Sequence, residues 1–438
     1  MTDFKSLGLC DHLLSAIEAN GYDTPTPIQK DAIPYILDGN DLVGLAQTGT
    51  GKTAAFGLPL VQQLLANESP RTAKSSKALI LAPTRELVNQ IAKNLIGFVR
   101  GTKLRVQSVV GGVAIGPQIK RLTHGTDILV ATPGRLLDLI DRDALTLNGV
   151  SFLVLDEADQ MLDLGFIHAL KRISSLIPKS RQTLLFSATM PKQINDLARS
   201  YLTDPVQVEV APAGKTADKI VQGVHFLDKA AKTDFLVSLL KERPDDLSLV
   251  FCRTKHGAER LMRKLVAAKL SAGSIHGNKS QSQRDKAIKA LRQGTLKILV
   301  ATDVAARGID IPGVRNVYNF DLPEVPEAYV HRIGRTARAG ADGEAFALCC
   351  PEEIDLLRRI EKLIGISIAV ASGEVPPASA AAPSGKNRRG RSGNRRSNAG
   401  GKAGNKRFEA KKGSANDNAP KQRKRRPQRA SRRPTQAA

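Results

Sequence analysis

Short apolar runs alternate with helix-like segments along the first half of the chain. The runs are rich in Val, Leu and Ile and occupy residues 41–46, 78–82, 105–110, 127–131, 152–155 and 183–187. The stretches between them carry apolar residues at helical spacing, as in "TRELVNQIAKNLIGFV" (84–99). Buried strands that alternate with helices predict a parallel β-sheet covered by helices on both faces.

The same pattern returns after a break. The segment "APAGKTADK" (211–219) is rich in Ala, Gly and Lys and predicts a linker. A second series of apolar runs follows, with a closing helical pattern, at residues 220–227, 247–252, 271–276, 297–301, 314–320, 344–350 and 352–365. We therefore predict an α/β protein with two domains of similar size, residues 1–210 and 220–370.

The last segment, residues 371–438, has a different composition. It consists mainly of Gly, Ser, Asn, Ala, Pro, Arg and Lys, and its 19 Lys or Arg and 3 acids give +16 of the formal net charge of +24. Such a segment buries too little apolar surface to offset the entropy of ordering, so we expect a disordered tail. Its charge predicts binding to a polyanion, most simply nucleic acid. The alternative is a flexible extension that only keeps the protein soluble.

Other compositional features narrow the class of protein. The four cysteines show no C-x-x-C spacing, which predicts neither a disulfide framework nor a structural zinc site. No apolar segment approaches membrane-spanning length, so we expect a cytoplasmic protein without a membrane partner. Aromatic residues make up only 4% of the chain and Trp is absent. This scarcity favours recognition of nucleic acid through its backbone rather than through stacked bases.

A phosphate-binding loop is indicated by "AQTGTGKT" (46–53), which lies between a predicted strand and a predicted helix. Glycines at 49 and 51 allow backbone N–H groups to turn toward phosphates, Lys52 can reach the β- and γ-phosphates, and Thr53 can ligate Mg²⁺. The strict pattern has Gly at its first position, where this chain has Ala46.

A cluster of acids follows the apolar run at 152–155, in "FLVLDEADQML" (152–162). Asp156 could be a helix N-cap, with Glu157 and Asp159 in the first turn. Alternatively, a buried parallel strand delivers these acids to the edge of the sheet where ligands bind. There Asp156 can hold Mg²⁺ and Glu157 can orient and deprotonate a water molecule. The two interpretations are compatible.

Together these motifs resemble those of the DEAD-box RNA helicases, over roughly residues 1–365. Asp156 to Asp159 spell the DEAD box itself, and the other family motifs occur in the expected order: "GYDTPTPIQ" (21–29), "PTRELVNQ" (83–90), "GG" (111–112), "TPGR" (132–135), "SAT" (187–189), "LVFCRT" (249–254), "ATDVAARGID" (301–310) and "HRIGRTARAG" (331–340). The opening "FKSLGL" and the basic tail are most similar to the bacterial RhlE-type group. The resemblance implies two tandem RecA-like domains that close on ATP and RNA together.

The resemblance also implies an ATP and Mg²⁺ site. The Gln29 amide would pair with N6 and N7 of adenine, with Phe4 or Tyr22 packed nearby, and Asp310 would bind the ribose. The catalytic residues would be Lys52, Asp156, Glu157, Arg335 and Arg338, with Thr53 and Asp156 as the metal ligands. The complete set expected to contact the nucleotide is Phe4, Tyr22, Gln29, Gln47, Thr48, Gly49, Thr50, Gly51, Lys52, Thr53 and Asp310.

Three arginines recur every three residues at 332, 335 and 338. On their own they are typical of a solvated basic helix face. The family resemblance instead makes Arg335 and Arg338 arginine fingers supplied by the second domain. Ala337 stands where the family usually has Gly. The residues expected to couple hydrolysis to RNA binding are Asp159, Ser187, Thr189 and His331.

RNA contacts are implied at matching positions in both domains, where Arg neutralises phosphates and Gly and Thr donate at close approach. In the first domain these are Pro83, Thr84, Arg85, Gly112, Thr132, Gly134 and Arg135. In the second domain they are Arg253, Arg284, Thr302, Asp303 and Arg307.

The sequence thus predicts an RNA-stimulated ATPase that couples hydrolysis to local, non-processive RNA unwinding and RNA–protein remodelling. An ATP-gated RNA clamp or annealing chaperone is the alternative, and a DNA translocase is a weaker third. The expected partner is structured or double-stranded RNA, with ribosomal particles or the RNA-decay machinery as further candidates.

Overall fold

The structure is a computed structural model that describes residues 3–47, 49–67, 69–210, 220–306, 311, 313–337 and 343–375. All of them belong to one compact unit of the chain, residues 1–382. The predicted linker (211–219) and the predicted tail from residue 376 onward lie outside the described residues.

The first half forms a seven-stranded parallel sheet. Its strands are β1 (Leu42–Leu45), β2 (Ser76–Leu81), β3 (Val106–Val109), β4 (Thr126–Ala131), β5 (Phe152–Leu155), β6 (Gln182–Ser187) and β7 (Val206–Glu209). Their order across the sheet is β3-β4-β2-β5-β6-β1-β7, and every recorded pair is parallel.

The second half repeats this arrangement in a second seven-stranded parallel sheet. Its strands are β8 (Ile220–Phe226), β9 (Leu247–Phe251), β10 (Ala272–Ile275), β11 (Ile298–Ala301), β12 (Val314–Asn319), β13 (Gly343–Cys349) and β14 (Ala369–Ser372). The order is β10-β11-β9-β12-β13-β8-β14.

Helices connect the strands. Those of the first half are α1 (Asp11–Ala19), α2 (Pro27–Leu37), α3 (Lys52–Ala66), α4 (Arg85–Phe98), α5 (Gly116–Leu122), α6 (Pro133–Ile140), α7 (Ala158–Asp163), α8 (Ile167–Leu176) and α9 (Lys192–Tyr201). Those of the second half are α10 (Lys232–Glu242), α11 (Lys255–Ala267), α12 (Gln281–Arg292), α13 (Asp303–Ala306), α14 (Pro326–Ile333) and α15 (Ile354–Ile364). Short 3₁₀ turns occur at Lys5–Leu7 and Pro351–Glu353.

Each sheet separates two hydrophobic cores, because alternate residues of a strand point to opposite faces. In β5, Phe152 and Val154 belong to the core shared with α2, α3 and α4. Leu153 and Leu155 belong to the core on the other face. The second sheet divides its residues in the same way between two further cores. Burial on both faces explains why these strands appear as continuous apolar runs in the sequence.

The structure confirms the α/β prediction and every predicted strand, with ends that differ by at most two residues. It adds β7 and β14, two edge strands that the apolar pattern did not reveal. All four residues of β14 are exposed, and the predicted boundary between residues 370 and 371 falls inside this strand. Within the described part of the chain, no helix is both long and apolar enough to cross a bilayer.

Candidate functional site

Three of the sequence motifs meet at one edge of the first sheet. Strands β5, β6 and β1 are adjacent, and their carboxyl ends lead into Asp156, Ser187 and Ala46 respectively. Ligands bind in the crevice outside the carboxyl ends of such strands. The fold therefore brings the acid cluster and the phosphate-loop motif together, although they are far apart along the chain.

Two glycines in the described part of the loop between β1 and α3 adopt the left-handed backbone that favours glycine. Gly49 and Gly51 adopt positive φ angles of 86° and 93°. Lys52 is buried, and its ammonium group donates to the Ala46 carbonyl at 3.0 Å. The amide of Ala46 donates to the Ser187 carbonyl at 3.0 Å. Ala46 thus still pairs with the neighbouring strand and lies before the turn, so a methyl group at this position leaves the loop intact.

The Gln29 amide is tied to this loop. Its Oε1 accepts from the Thr26 backbone amide at 2.9 Å, as in a capping box, and its Nε2 donates to the Gly51 carbonyl at 3.1 Å. One N–H and one lone pair of the amide remain for the predicted adenine contact. Of the two aromatic candidates, Phe4 is buried in the core, whereas Tyr22 is half-buried beside Phe98.

The acid cluster does not begin the helix in the way that capping predicted. Helix α7 begins at Ala158, and the residue at its N-cap is Glu157 rather than Asp156, without a side-chain capping bond. Glu157 adopts a left-handed backbone conformation with φ 53°, and its amide donates to Asp156 Oδ1 at 3.0 Å. A non-glycine residue in this region is uncommon and marks a position of interest.

The electrostatics of these two acids are unusual. Both are buried, with exposures of 2% and 3%, and burial raises the pKa of Asp156, with the Lys52 ammonium 4.0 Å away opposing that shift. Burial likewise raises the pKa of Glu157 to about 7, against the lowering effect of Lys52 and Arg335. One carboxylate oxygen of Glu157, Oε2, is buried without a hydrogen-bond partner. A base with a pKa near neutrality is suited to proton transfer.

Asp159 links the acid cluster to the end of β6. Its Oδ2 accepts from the backbone amides of Ala188 and Thr189 at 3.1 Å each, and from the Thr189 hydroxyl at 3.2 Å. The Ser187 hydroxyl donates to the Thr189 carbonyl at 2.7 Å rather than to Asp159. Three of the four predicted coupling residues therefore form one hydrogen-bonded group.

The predicted arginine row is not a solvated helix face. Arg332 and Arg335 are buried, with exposures of 2% and 5%. Arg332 donates to both carboxylate oxygens of Asp303, one at 2.7 Å, and its guanidinium lies over the Phe251 ring at 5.1 Å. Arg335 donates from Nε to the His331 carbonyl at 3.1 Å, and its positive charge lowers the pKa of Glu157.

Ala337, the departure from the usual glycine, has a positive φ of 53°. This region costs an L-residue with a side chain roughly 1–2 kcal/mol, a penalty that glycine does not incur. The methyl group is thus accommodated with backbone strain, two residues after Arg335.

Most of the predicted RNA contacts of the first half line one cavity of about 450 Å³. Gly112 lies beside it, because a Cβ there would lie 2.0 Å from the Arg85 guanidinium. The lining includes Pro83, Thr84, Arg85, Thr132, Gly134 and Arg135, together with Arg284 from the second half. The structure thus places Arg284 beside the first-half set, and the binding of RNA by these residues stays a prediction.

The contact between the halves at this cavity involves two residues that sequence reasoning missed. Glu86 accepts from Arg284 at 3.0 Å and from the Gln281 amide at 3.1 Å. The Oε1 atom of Gln281 in turn accepts from Arg85 at 3.0 Å. Gln281 lies one turn before Arg284 on α12, a spacing that places both on one helix face.

Two predicted RNA contacts of the second half serve other partners in this structure. Both oxygens of Asp303 bind Arg332. The Arg253 guanidinium is paired with Glu353 at 2.7 Å and is not among the residues that line the cavity around Arg85 and Arg135, which we call the RNA cavity after the predicted contacts. Thr302 is buried at the end of β11. Four predicted site residues lie outside the described part of the chain: Thr48, Arg307, Asp310 and Arg338.

Comparison with known proteins gives two family matches. Residues 26–197 match the model described as "DEAD/DEAH box helicase", and residues 231–340 match "Helicase conserved C-terminal domain". The ATP-dependent RNA helicase CshA of Limosilactobacillus reuteri is 45% identical over 82% of this chain and 71% of its own length. CshA of Bacillus cereus is 43% identical over 83% of this chain and 68% of its own. The likeness to the RhlE-type group is not confirmed by these relatives and stays a prediction.

Comparison with solved structures supports the same family. Saccharomyces cerevisiae Dbp5 bound to RNA and ADP BeF3 superposes with a TM-score of 0.77 and 33% identity, covering 85% of this chain and 96% of that one. Mss116 bound to ssRNA and UDP-BeF gives a TM-score of 0.78 with 28% identity, covering 86% and 81%. The two seven-stranded sheets are thus the tandem RecA-like domains, and the chain belongs to the DEAD-box ATP-dependent RNA helicases, which are ATP-hydrolysing enzymes that act on RNA.

Proposed function

We propose that this helicase unwinds short RNA duplexes locally and non-processively, with Glu157 as the base that activates the attacking water. The observation that carries the proposal is the environment of this side chain. Glu157 is buried and holds a carboxylate oxygen without a partner. Its pKa of about 7 lets it accept a proton near neutral pH, as a general base must.

Lys52 and Arg335 supply positive charge on either side of the reacting phosphate. Lys52 donates to the Ala46 carbonyl and lies 4.0 Å from Asp156. The β- and γ-phosphates of ATP replace the first of these contacts. Arg335 comes from the second half of the chain and already acts on Glu157 electrostatically. Such cations stabilise the charge that develops in phosphoryl transfer.

Asp156 and Thr53 suit Mg²⁺, which proteins usually hold through one or two oxygen ligands together with substrate phosphates. Asp156 is buried beside the phosphate loop, and burial without sufficient positive charge is what raises its pKa. A divalent cation there favours the ionised carboxylate. When bound, Mg²⁺ neutralises charge on the β- and γ-phosphates.

Coupling between ATP and RNA is assigned to the Asp159 group. Asp159 lies in the first turn of α7, just after Asp156 and Glu157, and Thr189 lies in the loop after β6. Their three hydrogen bonds connect the catalytic helix to the loop after β6. A change in the acids on ATP binding therefore moves that loop, and we propose that His331 and Arg335 of the second half respond to it.

RNA binds at the cavity around Arg85 and Arg135, where the two halves meet. Arg284 is paired with Glu86 at 3.0 Å, and RNA phosphate competes for it. Contacts of this type carry no base information, so we propose recognition of structured RNA with little sequence preference. Contacts to 2′-hydroxyl groups would discriminate against DNA.

Steady-state ATPase measurements test this proposal. We expect RNA to stimulate the wild-type enzyme, and Lys52→Ala and Glu157→Gln to abolish that stimulation. Lys93→Ala, which removes an exposed lysine of α4, is the matched control and should behave as wild type. Turnover that is independent of RNA, or that survives in Lys52→Ala, would falsify the proposal.

The alternative is an ATP-gated RNA clamp or annealing chaperone. It predicts that Glu157→Gln retains full RNA function while turnover is abolished. A strand-separation assay with ATP and with a non-hydrolysable analogue distinguishes the two. Multiple rounds of separation that require hydrolysis support the helicase, and annealing without hydrolysis supports the chaperone.

The cellular substrate is a further proposal. We infer a cytoplasmic enzyme acting on ribosomal particles or with the RNA-decay machinery, since a strongly basic chain suits large structured RNAs. Sequencing of RNAs crosslinked to the protein in its own cells is the test. Enrichment of neither class would refute this assignment without affecting the catalytic proposal.

A further inference from the structure

A second basic cavity lies in the second half of the chain, apart from the RNA cavity described above. Its volume is about 560 Å³, and its walls come from the segment before α10, the first turns of α11 and the 3₁₀ turn before α15. We call it the α11 cavity. Its cationic lining residues are Lys229, Lys232, Arg253, Arg260 and Lys264.

Two of these cations share one counter-ion within the protein. The buried Lys232 ammonium binds Glu353 and donates to the Phe320 carbonyl at 2.8 Å. Arg253 binds the other oxygen of Glu353 at 2.7 Å and the Leu322 carbonyl at 3.2 Å. Glu353 is thus the shared counter-ion at the base of the α11 cavity, and this cluster fixes its shape.

The remaining three cations have no ion-pair partner among the described residues. Arg260 and Lys264 are exposed and stand four residues apart on α11, so they lie on one face of the helix. His256 precedes Arg260 by the same interval. His256, Arg260 and Lys264 thus form a row that extends about 12 Å along the helix axis, at about 1.5 Å per residue. Lys229 extends the positive charge to the opposite wall.

Two further acids, Asp321 and Glu352, line the α11 cavity. Asp321 accepts from the backbone amide of Arg253 at 2.9 Å. A hydrogen bond from the Cys350 thiol lowers the pKa of Glu352, and the charge of Lys229 adds to this effect. Lys229, Arg260 and Lys264 therefore remain the cations of the cavity that form no ion pair within the described structure.

A neighbouring hollow of about 530 Å³ shares this charge. It is lined by His256, Glu259, Arg260, Arg263, Lys264 and Ala267. The acid in this lining is already engaged, because Glu259 accepts from Ser274, His276 and Lys279. Those hydrogen bonds lower the pKa of Glu259 to about 2. Arg260 and Lys264 thus stand between two hollows and are accessible from both.

Helix α11 packs on the opposite face of the second sheet from α12, the helix that carries Arg284. Leu261 and Leu265 of α11 pack in one core with α10. Ile288 and Leu291 of α12, the helix that carries Arg284, pack in the core on the opposite face. The cations of α11 therefore lie on a different helix face from Arg284 and line a separate cavity.

We propose that the α11 cavity binds phosphates of an RNA strand that continues beyond the main cleft, an inference that rests on the proposed function. The chemistry of the lining favours RNA over protein. Protein interfaces combine Arg with Trp and Tyr at their centres, and the aromatic residue in this lining, among the residues that the structure describes, is Phe320 alone. Arg and Lys side chains without such aromatic neighbours are the usual partners of phosphate oxygens. Arg253, one of the residues predicted from sequence to bind RNA, is paired with Glu353 at the base of the cavity. We assign the further phosphate contacts to Lys229, Arg260 and Lys264.

The test is the salt dependence of RNA binding by the full chain carrying Arg260→Gln and Lys264→Gln. For a long oligo(U), each phosphate that the protein no longer neutralises lowers the slope of log affinity against log salt by about 0.7, so two phosphates lower it by about 1.4. At about 0.1 M salt this corresponds to roughly 25-fold weaker binding. ATPase stimulation by a short oligo(U) that fills only the main cleft should stay unchanged.

Arg359→Gln with Lys362→Gln is the control, since it removes two exposed cations of α15 and the same total charge. The proposal is overturned if both variants reduce the salt-dependence slope equally, or if the slope of the α11 variant is unchanged. Binding of poly-glutamate that depends on Arg260 and Lys264 and leaves RNA binding unchanged would also overturn the proposal, because it would identify an acidic protein segment as the ligand. Absence of RNA-stimulated ATPase in the wild type would instead refute the proposed function, so the two failures are distinguishable. UV crosslinks from long oligo(U) to the peptide covering α11 would support direct contact.

Discussion

Replacement of Glu157 by Gln should make the protein more stable at alkaline pH while removing its ATPase activity. The substitution keeps the shape of the side chain and removes its ionisation. Glu157 is 3% exposed, has one oxygen without a partner and lies beside a second buried acid, Asp156. Ionisation at this position therefore costs free energy in the folded state, although Lys52 recovers part of it.

The magnitude follows from the pKa. Burial moves the pKa of Glu157 from 4.5 to about 7, which corresponds to about 3 kcal/mol at about 1.4 kcal/mol per unit. Because the folded pKa lies above the unfolded one, the stabilising contribution of the protonated form is complete below about pH 4.5. It disappears as pH rises through 7. Glu157→Gln does not undergo this decline, so its advantage over the wild type grows from about zero to about 3 kcal/mol.

The assay is urea unfolding of both proteins without nucleotide, from pH 5 to pH 8.5. Only the difference between the two free energies of unfolding is used, since all other titrating groups are common to both. Glu18→Gln, at an exposed position of α1, controls for the removal of a carboxylate as such. Parallel stability curves for wild type and Glu157→Gln would show that this carboxyl titrates normally and would remove the basis for its role as a base near pH 7.

Four further outcomes are expected. Gly51→Ala should weaken ATP binding in a nucleotide titration, because its Cβ would lie 2.4 Å from Nε2 of Gln29 at a φ of 93°. Arg332→Met should lower the free energy of unfolding by about 3 kcal/mol in denaturant titrations, since it leaves a partly buried acid unpaired; an unchanged midpoint would contradict this. Ala337→Gly should raise stability by roughly 1 kcal/mol by relieving a positive φ, and no gain would mean that the methyl packs favourably. Truncation after Gly373 should weaken RNA binding and flatten its salt dependence, and unchanged affinity at low salt would reject an RNA-binding tail.

Prediction from sequence succeeded where one residue type has one strong structural meaning. Continuous apolar runs identified the buried strands, and the motif following each run identified the site, as with Asp156 after β5. It failed at edge strands: β14 is exposed throughout, so no burial pattern marks it. It also placed the helix N-cap one residue early, since an acid before a helix does not reveal whether the next backbone position is left-handed.

The sequence alone determined the α/β class and the repeat of two sheets, and it located the phosphate-loop motif and the acid cluster, because burial patterns and short motifs are local properties of the chain. Only the tertiary structure decided how distant side chains share partners. Arg332 turned out to be a buried partner of Asp303 rather than part of a solvated face, and Arg253 is held by Glu353. The roles of Glu86 and Gln281 could be recognised only from the structure, in which they form a hydrogen bond between the two halves of the chain. A charged residue has the same letter whether it is paired or free, and the difference depends on which counter-charge the fold brings within reach.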